Sequence, residues 1–369
     1  MAFETTLPGR YFHDPQIFAR EQDAIFGQMW ICAGRADALP KPGDYQTVEF
    51  GGESVIVMRG RDGALRAFLN VCRHRGARLC LDTSGNTGQV LQCVYHAWSY
   101  GLDGRLLGAP NIAKDESLER EKLGLLPVHL AIWEGLIWLN LAENPDSVEA
   151  QVEPALVDRF GELEKFRRYG IGDLAVGTSI SYDIAANWKL VVENFMECYH
   201  CAPVHPELTR LLPEFRNGTS YQGIIGQGTD FADDIEGFTL SGHGKREMLP
   251  GLLPSDDRLY YGFVIWPNLF VNLLPDHVIL HTLIPTGPET SRVVCDWLFD
   301  PAEIAKPDFD PKDTVDVFDI TNRQDWEVCE RTQLGMRSRA YEQGGFYVTN
   351  EQHIAVFRDL VLERLGEKA

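Results

Sequence analysis

Two short stretches, "VCRHRGARLC" from Val71 and "CVYHAW" from Cys93, put Cys72-x-His74 and Cys93-x-x-His96 into one chain. No other feature constrains the fold so strongly, because one Cys and one His in each of two turns is a metal-ligand pattern. A structural zinc ion is the simplest occupant of two thiols and two imidazoles. Zinc sites, however, usually pair Cys with Cys in one turn and His with His in the other. The distribution here suits a [2Fe–2S] centre in which one iron takes both thiolates and the other both imidazoles. Neutral imidazoles leave less negative charge on such a cluster than thiolates would, so its reduction becomes easier.

A second stretch, "NWKLVVENFMECYHCAPVHPE", carries His200 and His205 at the end of a helix that Pro203 and Pro206 break. Histidines near a helix end are commonly surface or capping residues. Here they follow Glu193 and Glu197, which helical spacing places on one face with His200. Two carboxylates and a His inside an aromatic stretch are costly to bury without a metal or proton partners. A mononuclear iron that must bind oxygen wants two neutral His and one carboxylate on one face.

The rest of the chain supplies strands and helices around these sites. Phe18–Trp30 spaces its apolar residues as an amphipathic helix does. "YQTVEF", "ESVIVMRG", "ALRAFLNVC" and "QVLQCVYHAWSY" are β-like runs punctuated by Gly-Gly, Asp-Gly and Ser-Gly-Asn turns, and "EGLIWLNLAENP" closes that series. Residues 151–169 read as a helical connector and 187–200 as a helix with Trp188, Val191, Val192, Phe195 and Tyr199 on its apolar face. Strands return over 260–287 and 292–301, and helices at 321–341 and 354–365. The sequence thus describes an α+β protein with a β domain inserted into a larger unit.

Composition narrows the function classes. With 54 acidic against 34 basic residues, a net charge of -20 argues against sequence-blind nucleic-acid binding, which needs a basic footprint. It suits cationic ligands, or plain surface solubility. The eight cysteines are spread along a chain whose first residues do not read as a signal peptide, so metal ligation or burial is expected of them rather than a disulfide framework. No apolar run approaches a membrane span. The cytoplasm is the expected compartment.

"CRHRG…CVYHAWSYGLDGRL" resembles the cluster segment of Rieske-type non-haem iron oxygenases. Val94 stands where that family usually has Pro, Ala97 where it usually has Gly, and the gap between the pairs is on the long side; none of these departures removes a ligand. Neither loop carries the extra Cys of the respiratory Rieske proteins, so the oxygenase branch is the better match. "Asn-Trp-Lys…Glu-Asn…Tyr-His-x4-His" resembles the iron segment of the same family. By that resemblance, Cys72, His74, Cys93 and His96 hold the cluster, and His200 and His205 hold the iron. The third iron ligand is a downstream carboxylate, for which Asp325 in "TNRQDWEVCERTQLGMRS" is in the matching setting and Asp319, Glu327 and Glu330 compete. Glu197 falls where the family keeps an acid that bridges to the Rieske histidine of a neighbouring subunit; otherwise it is a solvated helix carboxylate.

The resemblance covers almost the whole chain. It implies an N-terminal helical segment (1–38), an all-β Rieske domain (39–150) and a helix-grip catalytic domain with an antiparallel sheet (151–369), commonly assembled as a homotrimer. It implies reductive O2 activation fed by a separate NAD(P)H-dependent flavin or ferredoxin reductase, since the chain has neither a GxGxxG opening a helix nor plant-type ferredoxin Cys spacing. Trp98, Arg73, Arg75 and Arg78 are candidates for docking that partner, or simply packed and solvated residues. The nearest branch oxidises quaternary ammonium compounds such as glycine betaine, choline, carnitine or stachydrine, which implies N-demethylation with release of formaldehyde. A methylammonium cation is held by aromatic faces and diffuse negative charge. Tyr260, Tyr261, Phe263, Trp266 and Phe270, with Asp233, Asp234 and Glu236, are the candidates, against the simpler reading that the aromatics pack the sheet. Aromatic-ring hydroxylation, a pure Rieske electron carrier and a zinc-stabilised binding protein are the alternatives.

Overall fold

Strand-forming runs separated by glycine turns pair into sheets in two compact units, residues 25–148 and residues 1–24 with 149–369. The structure is a computed structural model that describes residues 3–112, 118–218, 226–244 and 246–368. In the first unit, seven strands form one antiparallel sheet in the order Ile31–Arg35, Leu136–Asn140, Pro127–Trp133, Leu65–Leu69, Glu53–Arg59, Asp44–Phe50 and Ser84–Asn86. Val90–Gln92, Ser99–Gly101 and Leu106–Gly108 make a second, three-stranded sheet. The strand Ile31–Arg35 pairs with Leu136–Asn140, so residues 25–38 go with the β unit rather than with the N-terminal helix.

The larger unit is built on a six-stranded antiparallel sheet ordered Ala175–Ile184, Thr290–Phe299, Val278–Gly287, Leu269–Leu273, Leu259–Ile265 and Thr229–Asp230. The four strands of 259–299 follow one another as hairpins, and Val278, Ile279, Leu283, Val293 and Trp297 are wholly buried within them. The helix Trp188–Met196 starts where Asn187 accepts from the Lys189 amide (2.9 Å), a side-chain cap on an otherwise unpaired donor. It packs against the helix Lys312–Met336, with Gln333 Oε1 accepting from the Asn187 amide at 2.9 Å.

The N-terminal helix is shorter than its periodicity suggests. It spans Pro15–Glu21 and passes into a π-turn over Gln22–Phe26. Glu21 explains why the segment is held: its buried carboxylate accepts from Lys189 Nζ (2.6 Å) and Trp188 Nε1 (2.8 Å). An ion pair taken wholly out of water is stable only with such extra hydrogen bonding. Among the described residues, no helix is long and apolar enough to cross a membrane.

Candidate metal centres and substrate cavity

The two cluster turns of the β unit share one backbone design. The Cys72 amide donates to Ala77 O and the Gly76 amide to Cys72 O; likewise the Cys93 amide donates to Trp98 O and the Ala97 amide to Cys93 O, all at 2.8–3.0 Å. The fifth residue of each turn has positive φ, +73° at Gly76 and +55° at Ala97. Glycine adopts that conformation freely and alanine at a cost of about 1 kcal/mol, so Ala97 marks a strained position held by its surroundings. The turns bury both thiols and bring the His74 and His96 rings to 4.6 Å, with Trp98 stacked on His74 at 4.9 Å. Tyr100, which the motif reading missed, places its hydroxyl 3.3 Å from Cys72 Sγ while accepting from the Arg73 amide (3.0 Å). Burial, then the bond to Cys72, raises the Tyr100 pKa, so the phenol stays a donor. Of the basic residues nearby, Arg78 pairs with Glu49 and Arg75 lies over Tyr95.

In the larger unit, His200, His205 and Asp325 converge. His200 Nε2 lies 3.1 Å from His205 Nε2 and 3.2 Å from Asp325 Oδ1, and His205 Nε2 lies 2.8 Å from the same oxygen. Three cis donors about 2.1 Å from a first-row ion lie about 3 Å apart, so this triangle fits one face of an octahedral site. The outer ring nitrogens are oriented as well: Glu197 Oε1 meets His200 Nδ1, and Gln324 Oε1 meets His205 Nδ1 at 2.7 Å. Such contacts fix which nitrogen faces a metal. Burial opposes charge on His200, yet Asp325 and Glu197 outweigh it and lift the imidazolium to about 10. Burial likewise opposes the Asp325 carboxylate, and His200 and His205 hold it down at about 2.

The competing acids are engaged elsewhere. Asp319 accepts from Tyr182 (2.7 Å) and pairs with Arg323, Glu327 pairs with Arg331, and Glu330 accepts from the Ala185 amide (3.0 Å). The helical-face reading of 187–200 fails at its end. The helix stops at Met196 and Glu197 is extended (φ -129°), so Glu197 meets His200 through a turn, with its other oxygen on the Tyr199 and His200 amides. Glu193 points away, accepting from Tyr347 at 3.1 Å, and burial raises its pKa to about 7. Cys198 and Cys201 form a disulfide across this turn, a pairing the spread of cysteines did not suggest.

A cavity of about 560 Å³, its open mouth included, lies against the triad. Of the five aromatics expected to line it, only Tyr260 does. Strand alternation decides the matter: Tyr260 and Gly262 share the cavity face, whereas Tyr261 and Phe263 point to the other side, onto Phe160 and Phe166. A Cβ at Gly262 would sit 2.4 Å from Tyr260 Oη, so the glycine lets that ring lie along the strand and donate to Asn272 Oδ1 (2.6 Å). Trp266 stacks on Phe357 and Phe270 on Phe195, and Asp233, Asp234 and Glu236 are exposed. The lining instead takes Phe195, Phe215 and Phe318 from three separate segments, and it includes Arg159. Their separation along the chain is why no local pattern revealed them.

The donor sets therefore fit a Rieske cluster and a mononuclear iron, and known proteins agree. Residues 29–129 match the Rieske [2Fe-2S] domain family, and residues 171–367 match the catalytic domain of ring-hydroxylating alpha subunits. The glycine betaine monooxygenase oxygenase subunit of Chromohalobacter salexigens is 31% identical over 99% of this chain and 87% of its own. The carnitine monooxygenase oxygenase subunit of Acinetobacter baumannii is 31% identical over 97% of this chain and 94% of its own. The crystal structure of the quaternary ammonium Rieske monooxygenase CntA with L-carnitine superposes with a TM-score of 0.75, at 29% identity, over 98% of this chain and 96% of that one. With both halves matched and relatives aligned end to end, the chain belongs to the Rieske non-haem iron oxygenases, as an alpha subunit carrying a [2Fe–2S] cluster domain and a mononuclear-iron catalytic domain.

Proposed function

We propose that this chain is the terminal oxygenase of a two-component system that hydroxylates an N-methyl group of a small betaine-type quaternary ammonium compound. The convergence of His200, His205 and Asp325 at 2.8–3.2 Å beside an aromatic-lined cavity carries the reading, and the names of the glycine betaine and carnitine monooxygenase relatives give the substrate class. Bound in these two sites, the cluster supplies electrons and the ferrous ion supplies reductive O2 chemistry. Cys72, Cys93, His74 and His96 hold the first group, and Tyr100 aims a hydrogen bond at one sulfur. His200, His205 and Asp325 would hold the second, and Glu197 and Gln324 orient the two imidazoles toward it. Phe195, Phe215, Tyr260 and Phe318 surround the ammonium and keep water from it. With O2 and two electrons from the reductase, hydroxylation of the N-methyl carbon gives an N-hydroxymethyl ammonium and water; loss of its hydroxyl proton breaks the C–N bond, the pair going to nitrogen, and releases formaldehyde and the amine one methyl shorter.

Glu197 has a second role in this reading, the bridge through which a neighbouring subunit's cluster histidine feeds this iron in a homotrimer. A study of a similar quaternary ammonium Rieske monooxygenase speaks of inter-subunit electron transfer in that protein, which supports the assignment. An NAD(P)H-dependent reductase and a cytoplasmic setting complete the system. Iron and acid-labile sulfide analysis tests the cofactors: about three irons and two sulfides per chain are expected, whereas two irons alone would make it an electron carrier and zinc alone a binding protein. A betaine panel with reconstituted reductase tests the reaction through formaldehyde and substrate-dependent NADH oxidation. A cis-diol or phenol from an arene such as benzoate, with no formaldehyde from any betaine, would replace it by ring hydroxylation.

A further inference from the structure

We propose that Glu207 is a positioning residue for the iron site: it decides which end of the Gln324 amide faces His205, and so holds that imidazole in the tautomer able to ligate. The proposal rests on the assignment of His200, His205 and Asp325 as iron ligands and adds a residue one step behind them.

Two segments bring the parts together, each carrying a ligand and a helper. His205 immediately precedes the helix Pro206–Leu211, and Glu207 sits in the first turn of that helix. Gln324 and Asp325 are neighbours on the helix Lys312–Met336. His205 Nδ1 donates to Gln324 Oε1 at 2.7 Å, and Gln324 Nε2 donates to Glu207 Oε2 at 3.2 Å. The His205 side chain is 1% exposed, which leaves Nδ1 to the amide rather than to water.

An amide can face a ring nitrogen with either end, since its oxygen accepts and its nitrogen donates. With the oxygen towards His205, the ring proton sits on Nδ1 and Nε2 keeps its lone pair for a metal. With the nitrogen there, Nδ1 must accept, the proton moves to Nε2 and the ring cannot ligate. Glu207 removes the choice. Its carboxylate only accepts, so a flipped amide would set oxygen against oxygen and lose the bond between the two side chains. His200 needs no such third group, because its partner Glu197 is a carboxylate that accepts through either oxygen. Only the amide-backed histidine requires a residue behind its partner. An acid in the first turn of a helix also stabilises that helix by charge alone, and the test separates the two roles.

The test uses the protein with its cluster in place and the mononuclear site emptied by chelation, titrated anaerobically with Fe(II) in a calorimeter. Gln324→Leu should weaken iron binding by about 10–100-fold and Glu207→Ala by about tenfold, the scale of loss for groups that orient a metal-bound histidine. Glu207→Gln, which still offers an oxygen to Gln324, should recover most of the affinity. The double variant Gln324→Leu/Glu207→Ala should bind no more weakly than Gln324→Leu, because Glu207 acts only through that amide. In Gln324→Glu, whose carboxylate accepts from His205 through either oxygen, replacing Glu207 by Ala should no longer weaken binding. Wild-type affinity in Glu207→Ala overturns the proposal, as does a loss that persists in the Gln324→Leu or Gln324→Glu background. A lower urea midpoint with unchanged iron affinity likewise overturns it and leaves Glu207 an ordinary helix acid. Comparison within the Gln324→Glu background keeps the question open to refutation even if Gln324→Leu folds poorly. His205→Ala tests the underlying assignment: full iron affinity there makes the ligand set wrong, whereas loss there with none in Glu207→Ala sinks the positioning role alone.

Discussion

Acidifying the protein from pH 7.5 to 5.0 should cost about 2 kcal/mol of stability through His281 alone. This ring is buried on the strand Val278–Gly287, between Asn272 and Asn322. Tyr260 donates to Asn272 Oδ1, the Asn272 amide donates to His281 Nδ1 (3.2 Å), and His281 Nε2 donates to Asn322 Oδ1 (3.1 Å). A proton on Nδ1 would set donor against donor. Burial depresses the His281 pKa to about 4, against the opposing hydrogen bond to Asn322 and attraction of Asp325. The unfolded chain therefore binds the proton more readily between about 6.5 and 4, so stability is intact above the unfolded value and is lost as pH falls through that window. A full shift of about 2.5 units corresponds to roughly 3 kcal/mol, of which about 2 has been lost by pH 5.0. Urea unfolding of the holoprotein at the two pH values, followed by tryptophan fluorescence, measures the total. His281→Gln isolates the share of this residue: it should be the weaker protein at pH 7.5 but lose about 2 kcal/mol less on acidification. Parallel pH slopes for the two proteins would refute the neutral, directional chain.

His200→Ala and Asp325→Ala should each abolish turnover while leaving the Rieske absorption and its low-field paramagnetic signal in place; near-normal iron and activity in Asp325→Ala would move the ligand to another acid. Glu197→Gln should keep both metal centres and slow electron delivery to the iron, and a single turnover with normal cluster oxidation would reject that role. Tyr100→Phe removes a hydrogen bond worth about 1 kcal/mol, so the cluster midpoint should fall by roughly 40 mV for one electron, read by potentiometric titration, with an unchanged midpoint counting against a Tyr100–Cys72 bond.

The two metal motifs were legible because each is local: a Cys and a His two or three residues apart need only a turn, and the turn is written in the same few residues. The four strands of 259–299 were legible for a related reason, since alternation and hairpin spacing are short-range. What failed was whatever depended on where a helix stops. Periodicity carried the helix after Asn187 to His200, whereas the chain leaves helical conformation at Glu197, and with it went the shared face of Glu193 and His200. The long C-terminal helix begins at Lys312 rather than near Thr321, because its first turns bury Thr314, Val315 and Val317 on a polar-looking segment. The cavity was the least legible part. Tyr260 could be named from its strand but not told from Tyr261, because the sequence does not say which face of an alternating run meets the metal. Arg159 gave no sign at all, being one charge at the end of a connector helix until the fold turned it inward.

The contact between Glu21 and Lys189 spans 168 residues of chain, and both groups are fully buried. A ribosome adding about 5–20 residues per second releases the first partner roughly 8–30 s before the second. Residues 25–148 are complete within that interval, while the segment before them waits with Leu7, Tyr11, Phe12 and Ile17 still seeking the surfaces that bury them. A polypeptide cut between 148 and 149 would then strand those first twenty-four residues on the wrong piece. The carboxyl-terminal fragment would carry Lys189 into its interior without the Glu21 carboxylate that pairs with it.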